Sequence, residues 1–122
     1  MPNEPVILVV SSDLLAASRL AGLAHAAGAR LEQRAAIDAA GGPCDLVLLD
    51  LQGMRGPIEP IVTAARTALG SASRERPGRV VVFGPHVAGD RLREAVEAGC
   101  DEAVSRGELL GSFATLLRGW LA

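Results

Sequence analysis

Blocks of hydrophobic and polar positions along the chain predict strands and helices in turn. Val6–Val10 (VILVV) is a continuous aliphatic run, typical of a strand that is buried on both faces. Leucine and alanine then recur at helical spacing after Ser12 or Asp13, either of which can cap a helix that ends at Gly28. Residues 29–34 (ARLEQR) predict a second, more polar strand, suited to the edge of a sheet.

The same alternation continues to the end of the chain. Pro60 fits one of the later helices because it falls in the first turn. The polar stretch 71–79 (SASRERPGR) predicts a flexible loop. The remaining predicted elements are a third strand at 44–50, a helix at 59–70, a fourth strand at 80–84, a helix at 89–99, a weaker fifth strand at 101–106 and a final amphipathic helix at 107–122.

Five strand–helix repeats with short connections predict parallel strands joined by right-handed crossovers, with helices on both faces of the sheet. The first and third strands are the most continuously apolar, so we expect them to be neighbours in the middle. We therefore expect one α/β domain over residues 1–122, a doubly wound three-layer sandwich with strand order 2-1-3-4-5. This order forms a crevice at the carboxyl ends of strands 1 and 3, beside Ser11, Ser12, Asp13 and Asp50.

Charge and composition exclude several classes of function. The 12 basic and 14 acidic residues give a formal net charge of −2, which offers no electrostatic footprint for nucleic acid or an anionic membrane. The longest apolar runs are too short to cross a bilayer, and the N-terminal residues MPNEP lack the features of a signal peptide. We therefore expect a cytoplasmic protein without nucleic-acid or membrane partners. Every basic residue is arginine, and the chain contains no lysine.

Four stretches together resemble the receiver domain of two-component response regulators, a family with a CheY-like, flavodoxin-like fold. They are VILVVSSD at the end of the first strand, DLVLLDLQGMRG around Asp50, VVVFG at the end of the fourth strand, and RLREAVEAGCDEAVSRGEL near the C-terminus. The resemblance covers the chain from Val6 to Ala122, and the last stretch is its most specific part. It implies a signalling domain that works through a protein partner and is not an enzyme.

The resemblance also implies roles for individual residues, and several of them are altered here. Asp50 stands where receivers carry the phosphoacceptor aspartate, while Ser11 and Ser12 stand where an acidic pair holds Mg²⁺. Phosphoryl transfer depends on positioning and charge neutralisation, and Mg²⁺ prefers carboxylate and water oxygens to neutral hydroxyls. We therefore expect no metal or cofactor at this site.

Three further signalling positions depart from the receiver pattern. Gly84 takes the place of the switch hydroxyl, Ala103 that of the switch aromatic residue, and Arg106 that of the lysine. The pattern indicates a degenerate pseudo-receiver that acts independently of phosphorylation. Without a metal, Asp50 and Arg106 could form a direct ion pair that mimics one fixed state of the switch, because a nearby cation favours the ionised aspartate.

Other interpretations of the crevice stay open at this stage. Asp50 could be a structural remnant that accepts backbone N–H bonds from the loop that follows it. It could also be a working phosphoacceptor that recruits Mg²⁺ with the help of Asp13, or part of a small-ligand site with Ser12, Gly84 and His86. A catalytic serine is disfavoured, because the topology places no histidine as an evident general base.

The final predicted helix carries more apolar residues than one sheet-facing stripe requires. One stripe contains Leu109, Phe113, Leu116 and Trp120, and the additional residues are Leu110, Leu117 and Leu121. This excess indicates either a homodimer interface that includes Leu110, Leu117, Trp120 and Leu121, or a wide core stripe in which Trp120 closes the end of the sheet.

The two cysteines, Cys44 and Cys100, directly precede strands 3 and 5. With strand 4 between them they should stand about 10 Å apart, too far for a disulfide. We therefore expect free thiols, as in a reducing compartment.

Overall fold

The computed structural model describes residues 4–37, 44–52, 54–69 and 78–121. Within these ranges no helix is long and apolar enough to cross a membrane. A short 3₁₀ turn, His86–Ala88, lies between the fourth strand and the helix after it. The main elements in chain order are β1 (Val6–Val10), α1 (Leu14–Ala26), β2 (Arg30–Arg34), β3 (Leu46–Asp50), α2 (Glu59–Leu69), β4 (Arg79–Gly84), α3 (Gly89–Glu97), β5 (Glu102–Ser105), α4 (Arg106–Gly111) and α5 (Phe113–Trp120).

The sheet confirms the predicted doubly wound topology. Its strand order is β2-β1-β3-β4-β5, and all four neighbouring pairs are parallel. Helices α1 and α5 pack on one face of the sheet, and α2 and α3 pack on the other. The architecture is therefore the three-layer α/β sandwich that the alternation of elements predicts.

The central strands are buried on both faces, which explains their continuous aliphatic sequences. Every residue of β3 is buried. In β1, Ile7 and Val9 face the layer of α1 and α5, whereas Leu8 and Val10 face the layer of α2 and α3. Because both sides of the strand are covered, the usual alternation with polar residues is absent.

The C-terminal segment is two helices, whereas the sequence predicts one continuous helix over 107–122. Ser112, with φ −130° and ψ 27°, separates α4 from α5. The Ser112 N–H still donates to the Glu108 carbonyl, and the Ser112 carbonyl still accepts from Leu116 N–H. The chain therefore bends while it keeps both of these helical hydrogen bonds. The adjacent Gly111 and Ser112 explain the break, since glycine–serine pairs are common sites of helix kinks.

Two of the four residues predicted as a possible interface are buried within the chain itself. Leu117 and Trp120 are buried in the core between the sheet, α1 and α5. Leu110 and Leu121 are partly buried and pack against the same core. The wide apolar arc is therefore a core stripe, because the bend at Ser112 lets both short helices turn their apolar residues inward.

The connection between β2 and β3 departs from a regular strand–helix repeat. Its described residues, 35–37 and 44–45, contain no helix, and residues 38–43 lie outside the described ranges. Ile37 packs against the core on the α2 and α3 side. The predicted loop at 71–79 likewise lies mostly outside the described residues.

Both cysteines are free and buried, as predicted, and they lie just before β3 and β5. Burial raises the pKa of the Cys44 thiol to about 11, and nearby Asp45 adds to the effect. Burial also raises the pKa of Cys100. Both thiols therefore stay protonated in the folded protein at neutral pH.

We expect stability to decline between about pH 9 and 11, because the unfolded thiols ionise before the folded ones. A folded pKa raised above the unfolded value stabilises the fold below the unfolded pKa, and this stabilisation is lost as the pH rises. The chain has no tyrosine and no lysine, so few other groups titrate in this window. Measured by denaturant titration, the free energy of unfolding should fall by up to about 2 kcal/mol between pH 8 and pH 11. The variant with Cys44→Ala and Cys100→Ala should lose much less, and an identical decline would contradict this explanation.

Candidate functional site

The candidate site lies where β1 and β3 end side by side at the carboxyl edge of the sheet. Val10 of β1 pairs with Leu49 of β3, so the next residues, Ser11 and Asp50, stand next to each other. Asp50 is only 1% exposed and Ser11 only 3% exposed. The Ser11 hydroxyl donates to Asp50 Oδ2 at 2.7 Å. A buried carboxylate with a hydroxyl donor is therefore the centre of the site.

Asp50 is held by donors from three different parts of the chain. Gln52 N–H donates to Oδ1 at 2.9 Å, which ties the carboxylate to the loop after β3. One guanidinium nitrogen of Arg106 lies 3.3 Å from Oδ1 and 3.2 Å from Oδ2. Together with Ser11, these groups satisfy both oxygens of the carboxylate. A buried charge is tolerated when it is paired and hydrogen-bonded in this way.

Arg106 joins two carboxylates through its two terminal nitrogens. One contacts Asp50, and the other lies 3.1 Å from Asp13 Oδ2. The guanidinium carbon also lies 6.0 Å from the centre of the Phe83 ring, at the outer limit for a cation–π contact. Its side chain is 25% exposed, and its buried Nε has no hydrogen-bond partner among the residues that the structure describes. The ion pair proposed from the sequence is present, and Asp13 extends it to a third residue.

Helix N-caps help to position Asp13 and Arg106, which bind each other beside the buried carboxylate. Asp13 is the N-cap of α1, where its Oδ1 accepts from Ala16 N–H at 3.1 Å. This bond is the main cause that holds the pKa of Asp13 below its ordinary value, and Arg106 lowers it further. Ser105 caps α4 through a bond from Glu108 N–H to its hydroxyl, and this fixes where Arg106 leaves the strand.

Of the two serines at the end of β1, only Ser11 bonds to Asp50 within the described part of the chain. Ser12 is exposed in the turn. The Ser11 hydroxyl also accepts from Asp13 N–H at 3.0 Å, so it serves the turn and the carboxylate together. Ser12 and the exposed His86 thus lie at the surface, while Asp50 is sealed beneath it. Asp50 is therefore not exposed at the surface together with Ser12 and His86.

Gly84 ends β4 opposite Ser105 of β5, and its position is closely packed. A Cβ atom built at Gly84 would lie 3.3 Å from Leu51 Cβ and 3.4 Å from Leu51 Cδ1. Leu51 therefore occupies the space beside β4 that a side chain at residue 84 would enter. Ala103 is partly buried and packs against the core on the α2 and α3 side.

We expect Gly84→Thr to lower the free energy of unfolding by about 1–3 kcal/mol, because the added atoms crowd Leu51. Gly22 in α1 offers a matched control, since a Cβ there meets no atom within 4 Å. Gly22→Ala should be neutral or stabilising by about 0.5–1 kcal/mol. Urea denaturation of both variants measures the difference, and equal stabilities would refute the crowding argument.

The residues at this site do not fit the Mg²⁺ ion that the resemblance implies for receivers. Asp50 already receives donors at both oxygens, and its charge is balanced by Arg106. Ser11 and Ser12 supply neutral hydroxyls where carboxylates would be needed. No group of three or more histidine, cysteine or acidic residues within the described ranges could hold a metal ion.

Sequence reasoning missed two contributions to the site. The Gln33 side chain donates from Nε2 to the Ser11 carbonyl, and it does so from the edge strand β2. The register that pairs Val9 with Gln33 places this amide beside the end of β1. The link between Asp13 and Arg106 was also missed, because the two residues are 93 positions apart. Because four of the five residues of β2 are polar, no local signal in the sequence distinguished Gln33.

Comparison with solved structures identifies the fold. The non-phosphorylated HemR receiver domain from Leptospira biflexa has a TM-score of 0.71 and 22% identity, covering 98% of this chain and 95% of that one. A response regulator from Thermotoga maritima has a TM-score of 0.70 and 16% identity, covering 98% of each chain. An orphan response regulator of H. pylori has a TM-score of 0.72 and 11% identity, covering 97% of each chain.

The chain therefore has the CheY-like fold of response regulator receiver domains, as the resemblance implied. No family model matches the sequence, and neither does any curated protein. At these identities the comparisons establish the fold, and the chemistry of the site has to be argued from its own residues.

Proposed function

We propose that this chain is a single receiver-like signalling domain, residues 1–122, that acts through a protein partner in the cytoplasm and is not an enzyme. We further propose that it works without Mg²⁺-dependent phosphorylation of Asp50. The observation that carries the proposal is the ion pair between Asp50 and Arg106 in a site where Ser11 seals the same carboxylate. The receiver fold supports a role in signalling, and the altered site supports independence from the usual trigger.

The geometry opposes attack by Asp50 on a phosphodonor. A nucleophilic carboxylate needs a free, exposed oxygen, whereas both oxygens of Asp50 accept hydrogen bonds and the residue is buried. Phosphoryl transfer also needs positive charge to neutralise the equatorial oxygens of the transferred group. The only cation in contact with Asp50 among the described residues is Arg106, and it is shared with Asp13.

Arg106 supports a fixed state because it joins three segments at one point. It lies at the start of α4, Asp50 ends β3, and Asp13 starts α1. The Arg106 guanidinium thereby takes the place of an external cation beside Asp50. The charge balance of the site is then independent of the concentration of metal or phosphodonor.

Exposed leucines beside the site support contact with another protein. Leu14 is 70% exposed and Leu15 is 74% exposed, and both directly follow Asp13 in the first turn of α1. Contiguous exposed apolar surface is a feature of sites that bind other proteins, and these two leucines are neighbours in the chain. The buried positions of Leu117 and Trp120 give no such support to a homodimer through the last helix.

A working phosphoacceptor is the second candidate, and one observation favours it. Asp50 ends β3 at the carboxyl edge of a receiver fold, where the resemblance places the phosphoacceptor. In that case Arg106 would have to leave Asp50 so that Mg²⁺ could enter with Asp13.

Incubation with a small acyl phosphate and millimolar Mg²⁺ separates these two candidates. We expect the intact mass of the protein to stay unchanged, because Asp50 cannot reach the donor. The variant Asp50→Asn is the control for modification elsewhere. A phosphoryl adduct that forms on the wild type and not on Asp50→Asn would establish the second candidate in place of the first.

A further inference from the structure

Helix α3 is weakly anchored compared with the other long helices. Ala95 is its only fully buried residue, whereas α1 and α2 each bury four residues. Its N-cap residue, Ala88, makes no side-chain capping bond. Elements with few buried apolar contacts open at low free energy. The position of α3 therefore depends more than usual on its remaining polar contacts.

Arg91, in the first turn of α3, supplies such a contact. One terminal nitrogen donates to the Gly56 carbonyl at 3.0 Å, and the other donates to the Met54 carbonyl at 3.4 Å. Both carbonyls belong to the loop between β3 and α2. The same side chain lies 3.5 Å from Glu94 in α3, which keeps the guanidinium on this side of the helix.

The loop held by Arg91 begins at Asp50. Gln52 N–H donates to Asp50 Oδ1, and Met54 N–H donates to the Leu51 carbonyl at 3.0 Å. The carboxylate therefore orders the first turn of the loop, and Arg91 holds the carbonyls that follow. Gly84, at the end of the strand that leads into α3, has no side chain with which to contact Asp50.

We infer that Arg91 is a tether that couples the state of Asp50 to the position of α3. The coupling runs from Asp50 through Gln52 and the loop carbonyls to the Arg91 guanidinium. A change in the hydrogen bonds of Asp50 shifts the loop, and the loop moves or releases the helix. This inference goes beyond the proposed function, because the tether works whichever chemical event alters Asp50.

Arg93 provides a matched control on the same helix. Its guanidinium pairs with Asp90 at 3.0 Å, and both side chains are largely exposed. The pair lies within α3, so it connects the helix to no other element. A change at Arg93 alters the charge of α3 by the same amount as a change at Arg91 and leaves the loop contact intact.

Amide hydrogen exchange and amide chemical shifts test the tether in the wild type, Arg91→Gln and Arg93→Gln, each with and without Asp50→Asn. Arg91→Gln should speed exchange of the α3 amides by about tenfold or more, with the central strands unchanged. Asp50→Asn should shift the α3 amides in the wild-type and Arg93→Gln backgrounds, and this shift should be lost in the Arg91→Gln background.

Two outcomes would overturn the tether. One is an α3 response to Asp50→Asn that keeps its size in the Arg91→Gln background. The other is a loop that shifts in Asp50→Asn while α3 stays unchanged in the wild-type background. If Asp50→Asn does not fold, Ser11→Ala removes one hydrogen bond from the carboxylate and serves in its place. All samples lack metal and phosphodonor, so failure here is distinct from failure of the proposed function.

Discussion

Arg106→Met is expected to lower the free energy of unfolding by about 3 kcal/mol, because it leaves a buried charge without its cation. Asp50 is only 1% exposed, so solvent stabilises its charge little in place of the lost guanidinium. The donors from Ser11 and Gln52 remain, and they balance only part of the negative charge. Methionine keeps much of the apolar stem of the arginine, so the loss reports mainly the missing charge. Chemical denaturation measures it.

Asp50→Asn, which removes the other charge of the pair, should lower the free energy of unfolding by less than Arg106→Met does. Arg106 is 25% exposed and keeps its contact with Asp13, so its charge stays partly solvated and paired. Combining both changes should recover part of the stability lost in Arg106→Met, because neither charge is then left alone in the interior. A coupling energy of about 1 kcal/mol or more is expected from the four proteins.

Arg93→Met is the control for loss of an arginine at the surface. Its pair with Asp90 is exposed, so the change should stay within about 0.5 kcal/mol. If Arg106→Met were no more destabilising than Arg93→Met, the ion pair at Asp50 would be incidental to the fold.

Trp120→Ala is expected to destabilise the fold by about 3–5 kcal/mol, because a large buried side chain is removed. Trp120, the last residue of α5, is 5% exposed and packs in the core on the α1 and α5 side of the sheet. Its Nε1–H donates to Glu102 Oε1 at 3.1 Å, and its carbonyl accepts from Arg79 Nε at 3.0 Å. The residue thus joins the last helix to β5 and β4.

Two control variants separate the loss of packing at Trp120 from the loss of its hydrogen bond and from a change at an exposed residue. Trp120→Phe keeps most of the packing and loses the hydrogen bond, so it should cost distinctly less than the alanine variant. Leu15→Ala, at an exposed position, should change stability by at most about 0.5 kcal/mol. Denaturation and sedimentation are measured together. Unchanged stability with loss of a dimer would show that Trp120 belongs to an interface after all.

The strands and their order could be predicted because burial on both faces leaves a direct trace in the sequence. Val6–Val10 and residues 46–49 are aliphatic without interruption, as strands that are covered on both faces require. The break at Ser112 was missed, since a glycine–serine pair is tolerated in some helices and kinks others. The same bend explains why Leu110, Leu117 and Leu121 seemed to exceed what a core-facing stripe needs.

The candidate site could be predicted in part. Asp50 and Ser11 follow directly from the strand order, since adjacent parallel strands bring their carboxyl ends together. The pairing of Asp50 with Arg106 followed from the resemblance to receivers and the absence of lysine. The roles of Gln33 and Asp13 depend on strand register and on the length of one arginine side chain, which no local pattern encodes.

A titration of Mg²⁺ with beryllofluoride, a phosphoryl mimic, tests the central claim most directly. Trp120 is the single tryptophan, and its fluorescence can be followed together with the amide shifts of Asp50 and Gln52. We predict no saturable change at millimolar metal, because Arg106 and Ser11 already occupy the carboxylate. Saturable shifts around Asp50 that disappear in Asp50→Asn would contradict the account and show that the phosphorylation switch still works.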